Sequence, residues 1–165
     1  MHLKEWFTMQ KKLDQYIEKK HQLENVDLFG KKILALFVEV GELANETRCF
    51  KFWSNKPPSN RSVILEEFVD GVHFILSLGI SLNFDQKQLV LVNEQIGQAE
   101  DTFELFLKVY RAIDRFAQTK SFADYENLFQ LYLALGNQLG FSLEDIQKAY
   151  IAKNEVNYNR QDSGY

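Results

Sequence analysis

Two apolar stretches of this sequence carry six acidic residues, and those residues are the part of the chain best suited to chemistry. The first reads ILALFVEVGELANE, with Glu39, Glu42 and Glu46, and the second reads VILEEFVDGVHFILSL, with Glu66, Glu67 and Asp70. Positions three apart share one face of an α-helix, so Glu39 points with Glu42 and Glu67 with Asp70. Like charges at that spacing repel by about 0.2–0.5 kcal/mol per pair even on a wet surface. Apolar surroundings imply partial burial, where an unpaired carboxylate is far more costly. A positive partner is required. Four carboxylates on two facing helices form an all-oxygen donor set for a hard divalent cation, most naturally Mg²⁺. Such ions orient a polyphosphate and acidify an attacking water, and a carboxylate not fully engaged by metal can take the proton. Near the C-terminus, Lys153 and Arg160 suit negative charge developing on phosphate. The reaction class is metal-assisted hydrolysis of a phosphoanhydride.

These residues need long helices to hold them, and the sequence predicts an all-α fold. Only two prolines and eight glycines interrupt 165 residues rich in helix formers. A first helix is expected over Leu3–His21, with Gln10 and Asp14 one turn apart on a face whose plain reading is solvated surface. Lys31 begins the first acidic helix, apolar on nearly every side and therefore expected to be central. Gly41, between its glutamates, permits close approach of a backbone or a ligand. The segment FWSNKPPSN over 52–60 breaks the helical pattern, with Ser59 or Asn60 placed to cap the next helix. Arg61–Leu82 is the second acidic helix, and the short connection argues for an antiparallel hairpin that sets Glu39 and Glu42 opposite Glu67 and Asp70. His73, one turn past Asp70, has two readings: it orients a metal-bound carboxylate or water, or it is a hydrogen-bonded core histidine. A long helix is expected from Gln86 to about Gln118, with Gly97 as a kink or close contact, then another over Ser121–Leu139. Their dense aromatic residues read as core or dimer interface. Ser142 caps a last helix running to about Asn157. Lys153, Asn157 and Arg160 share a face for as long as that helix continues.

Bulk properties exclude several classes. The net charge of −4 argues against binding to a nucleic-acid polymer. One cysteine, Cys49, excludes an internal disulfide and a Cys-rich zinc site, and three scattered histidines exclude a His-ligated one. No GxxxxGK[ST] motif marks a P-loop, and no Ser/His/Asp or Cys/His arrangement stands out. No signal peptide is evident and no apolar run is long enough to span a bilayer, so a cytoplasmic location and no membrane partner are expected.

The acidic pattern, E-x-x-E at Glu39/Glu42 followed by E-x-x-D at Glu67/Asp70 in EEFVDGVHFILSL, resembles the all-α NTP pyrophosphatase superfamily. The closing KNEVNYNRQDSGY, residues 153–165, resembles the C-terminal motif K-N-x-x-N-x-x-R-Q-x-x-G-Y of the dimeric, all-α dUTPases. MQKKLD near the N-terminus and FKFWS after the first acidic helix fit the same family, so the resemblance covers nearly the whole chain as one domain, 1–165. It implies hydrolysis of dUTP to dUMP and pyrophosphate, with dUDP as a second substrate. Glu39, Glu42, Glu67 and Asp70 would bind Mg²⁺, and a first-helix glutamate, Glu42 in preference to Glu39, would be the base. Asn157 would read the uracil edge, since its amide offers both a donor and an acceptor. Gln10 would line the base pocket, and Trp53 would pack near the nucleoside or close the pocket. Lys153, Arg160 and Tyr165 would meet the phosphates. A homodimer is implied, with a tail over about 153–165 that orders with nucleotide. The carboxylate pairs alone fit a broader MazG-like NTP pyrophosphatase equally well, and a non-enzymatic helical dimer is the third reading.

Overall fold

The computed structural model describes residues 3–90 and 101–164. Six α-helices account for most of them: α1 (Leu3–Lys20), α2 (Phe29–Thr47), α3 (Arg61–Ser81), α4 (Thr102–Thr119), α5 (Phe122–Gln138) and α6 (Leu143–Asp162). Among the described residues there is no strand, as the scarcity of breakers implies. No helix among them is long and apolar enough to cross a membrane.

The acidic helices form the expected antiparallel pair. Lys32 at the start of α2 donates to Ser81 Oγ at the end of α3, 3.1 Å away, and the Ser59 amide just before α3 donates to the Glu46 carbonyl near the end of α2. Arg48 ends α2 in the left-handed region (φ 58°) and its guanidinium donates to Ser54 Oγ and the Lys56 carbonyl, which organises the proline-bearing loop. Asn60 stands at the N-cap position of α3 but makes no side-chain cap bond, while Ser59 Oγ donates to Glu46.

The centre of the fold is α3, not α2. Ten residues of α3 are buried, and α1, α2, α5 and α6 all pack against it. By contrast α2 leaves Leu34 and Val38 exposed on one flank. The interlock of α3 with α5 rests on small residues. Tyr132 stacks on Phe68 with centroids 4.6 Å apart and donates to the Phe68 carbonyl. A Cβ on Gly71 would fall 2.1 Å from the Tyr132 hydroxyl, so this seat exists only because residue 71 has no side chain. Tyr125 repeats the device one register further on, against Gly79 and the Ile75 carbonyl.

Two boundaries differ from expectation. Helix α4 starts at Thr102, whereas Phe84–Gln86 form a 3-10 turn and Lys87–Val90 have no regular structure. The Phe84 ring packs on Phe122 and Tyr125. Val92, Ile96 and Gly97 lie outside the described residues. Helix α6 runs to Asp162, past Asn157, because its last turns dock on α1: Tyr158 packs on Tyr16, the Tyr16 hydroxyl donates to Asp162, and His21 bonds Gln161. The Ser142 cap is present as a full capping box with Asp145.

Candidate active site

Glu39 from α2 and Glu67 and Asp70 from α3 bring carboxylate oxygens within 4.8 Å of one another. Their placement follows from the i, i+3 spacing on α3 and the packing of α2 beside it. Burial raises all three pKa values, and neighbouring carboxylates add to it; Glu39 is pushed up to about 7, with Asp70, Glu42 and Glu67 all contributing. Three partly buried oxygen donors that resist ionising together are a fitting set for a hard divalent cation.

Glu42, expected as the fourth ligand, lies outside that tight group. Its side chain is exposed on the wet side of α2, one turn beyond Glu39, although its charge still reaches Glu39 and Glu67. The ammonium of Lys153, the residue expected to meet phosphate, is buried among carboxylates, 2.7 Å from Asp70 and 2.8 Å from Glu66. Part of the compensating charge therefore comes from α6 itself. Glu66, not among the expected site residues, is depressed by that same ammonium.

Beside the acids opens a pocket of about 290 Å³ walled by α1, α2, α3 and α6, near the lower end for small-molecule sites. Glu39 and Asp70 line it together with Asn157 and Arg160 from α6 and with Gln10, His73 and Phe74. Of the expected binding residues, Gln10, Asn157 and Arg160 are thus brought together here. Trp53 does not line it: it sits 64% exposed on the α2–α3 loop, packed edge-on against Phe50 and Phe52. Tyr165 lies outside the described residues.

The pocket's inner wall corrects the solvated-surface reading of α1. Gln10 and Asp14 are buried. The Asp14 carboxylate accepts from Gln10 Nε2 at 2.7 Å and from Ser77 Oγ at 2.5 Å, and Lys32 approaches to 3.6 Å. Burial raises its pKa, and those three donors oppose the rise. Gln10 Oε1 in turn meets His73 Nδ1 at 2.7 Å and accepts from the Tyr150 hydroxyl at 3.0 Å. His73 is the core histidine of the two readings; burial chiefly, and Lys153 beyond it, push it down to about 3. Nothing in the spacing of Gln10 and Asp14 signals this, because their partners lie on other helices. Trp6, buried and stacked on Tyr150, is the cue in α1 that this face turns inward.

The fold and site define a class: an all-helical protein whose two acidic helices gather carboxylates beside a nucleoside-sized pocket. A family model described as dUTPase matches residues 2–165. The chain therefore belongs to the all-α dUTPase family, and with that come dUTP diphosphatase activity, a nucleotide substrate and, in general terms, a divalent metal. No curated protein sequence matches it significantly.

Proposed function

We propose that this chain hydrolyses dUTP, and dUDP as a second substrate, to dUMP in a Mg²⁺-dependent reaction. The observation that supports this reading is the convergence of Glu39, Glu67 and Asp70 beside a pocket that Asn157 also lines. A bound divalent cation would supply charge neutralisation on the phosphoanhydride and a more acidic water. Glu39, Glu67 and Asp70 would hold it. Glu42, near those acids but outside the tight group, would take the proton of the attacking water. Arg160 meets the phosphates from the pocket wall, and Lys153 holds Asp70 in place until phosphate competes for its ammonium. Asn157 hydrogen-bonds a carbonyl on the base edge.

Two exposed apolar pairs at helical spacing, Leu34 with Val38 on α2 and Phe103 with Leu107 on α4, support a second copy of the chain as partner. The test of the enzyme reading is pyrophosphate release from a panel of dUTP, dCTP, dTTP and dATP with and without Mg²⁺. Turnover of dUTP alone, and only with metal, is expected. Comparable rates on dCTP or dTTP would replace uracil selectivity with a general pyrophosphatase activity.

A further inference from the structure

One buried acceptor in the pocket stands unpaired. His73 lines the pocket and is 5% exposed, and its Nε2 has no hydrogen-bond partner among the described residues. A buried polar atom left unpaired is costly, and such atoms in native folds are exceptions that ask for a partner.

Its protonation state follows from the chain of bonds behind it. An ionised Asp14 can only accept, so the amide nitrogen of Gln10, not its oxygen, faces Asp14. Oε1 of Gln10 is thereby turned toward His73 and Tyr150 and can only accept. Nδ1 of His73 must then carry the hydrogen, and Nε2 of the neutral ring is left with a lone pair. Lys32 and Ser77 pin Asp14 at the far end. The imidazole plane is fixed by stacking on Tyr150, centroids 4.3 Å apart.

Building on the dUTPase reading, we infer that Asp14 and Gln10 act as positioning residues holding His73 as a fixed acceptor, and that Nε2 receives the ring N3–H of the pyrimidine. Uracil offers a donor at N3. Cytosine offers a lone pair there, and two lone pairs would face each other. Thymine has the same N3–H as uracil, so this acceptor separates uracil from cytosine and does nothing against the thymine methyl group. Gln10 then does not touch the base through Oε1, which is occupied twice over; it sets the tautomer of the residue that does.

The experiment combines ¹⁵N-histidine NMR of the full chain with selectivity ratios. In the resting protein the His73 resonances should report hydrogen on Nδ1 and a bare Nε2. Adding dUMP should move the Nε2 resonance, and dCMP at equal concentration should not. His73→Phe keeps a flat ring on Tyr150 and should lower the dUTP:dCTP ratio of kcat/KM by about tenfold or more while leaving dUTP:dTTP unchanged. Gln10→Met should release the tautomer and lower the same ratio. A protonated Nε2 in the resting protein, an unmoved Nε2 at saturating dUMP, or an unchanged dUTP:dCTP ratio in His73→Phe would each overturn the inference. Absence of dUTP turnover in the unaltered protein would instead sink the enzyme reading, and the dUMP titration would still decide the role of His73.

Discussion

Replacing Glu39 with glutamine should make the metal-free protein more stable while removing its response to metal. Glu39 is pushed up from 4.5 to about 7 chiefly by burial and then by the neighbouring charges of Asp70, Glu42 and Glu67. A native value above the unfolded one means the folded state keeps its proton longer. Stability is full below pH 4.5 and declines as pH climbs to about 7. Taken whole, that displacement corresponds to about 3 kcal/mol; the side chain is only partly buried, and solvent screening reduces it to about 1–2 kcal/mol. For a chain of this size the gain in Tm is roughly 2–8 °C. Thermal unfolding of the wild type and Glu39→Gln in EDTA, at pH 8 and pH 5, measures it. The variant should melt higher at pH 8, and the advantage should shrink several-fold at pH 5, where wild-type Glu39 is already protonated. Saturating Mg²⁺ should raise the wild-type Tm and barely move the variant. An equal gain at both pH values would show that packing, not charge, sets the difference. A lower melting point at pH 8 would refute the reasoning outright.

Other consequences are open to test. Lys153→Met strips Asp70 of its internal cation and should destabilise the metal-free protein by about 1–3 kcal/mol, less so with saturating Mg²⁺, as urea titrations with and without metal would show. Gly71→Ala drives a methyl group into the Tyr132 hydroxyl and should cost about 1–3 kcal/mol in chemical denaturation, with activity falling because Asp70 is its chain neighbour. Leu34→Glu with Val38→Glu should convert a dimer to a folded monomer by light scattering, with unchanged helicity by circular dichroism; a wild type that already elutes as a monomer would remove the proposed interface.

The acidic pair on α3 and its partner on α2 were legible because both signals are local: i, i+3 spacing inside apolar runs fixes which side chains share a face. The Ser142 cap was legible for the same reason. What the sequence concealed depends on contacts between distant segments. Gln10 and Asp14 look like surface residues until His73 and Ser77, on α3, supply their partners. Lys153 looks like a tail cation until α6 packs on α3 and sets it between Glu66 and Asp70. Helix α2 packs on both α3 and α4, yet Leu34 and Val38 in its apolar circumference face outward, a distinction that apolar spacing alone does not carry. Glu42 satisfies the same spacing rule as Asp70, yet its side chain stays in solvent, since the rule fixes a direction and not a depth.

A single helix, α3, carries the acids Glu67 and Asp70 and, one and two turns further on, His73 and Ser77. At about 1.5 Å of rise per residue, the span from Glu67 to Ser77 is about 15 Å, and no joint interrupts it. Tyr132 and Tyr125, hooked onto its backbone, keep that rod from sliding. A ligand lying along it would be gauged by a ruler with fixed graduations, so under the proposed function the distance between the acids and His73 is set before any substrate arrives.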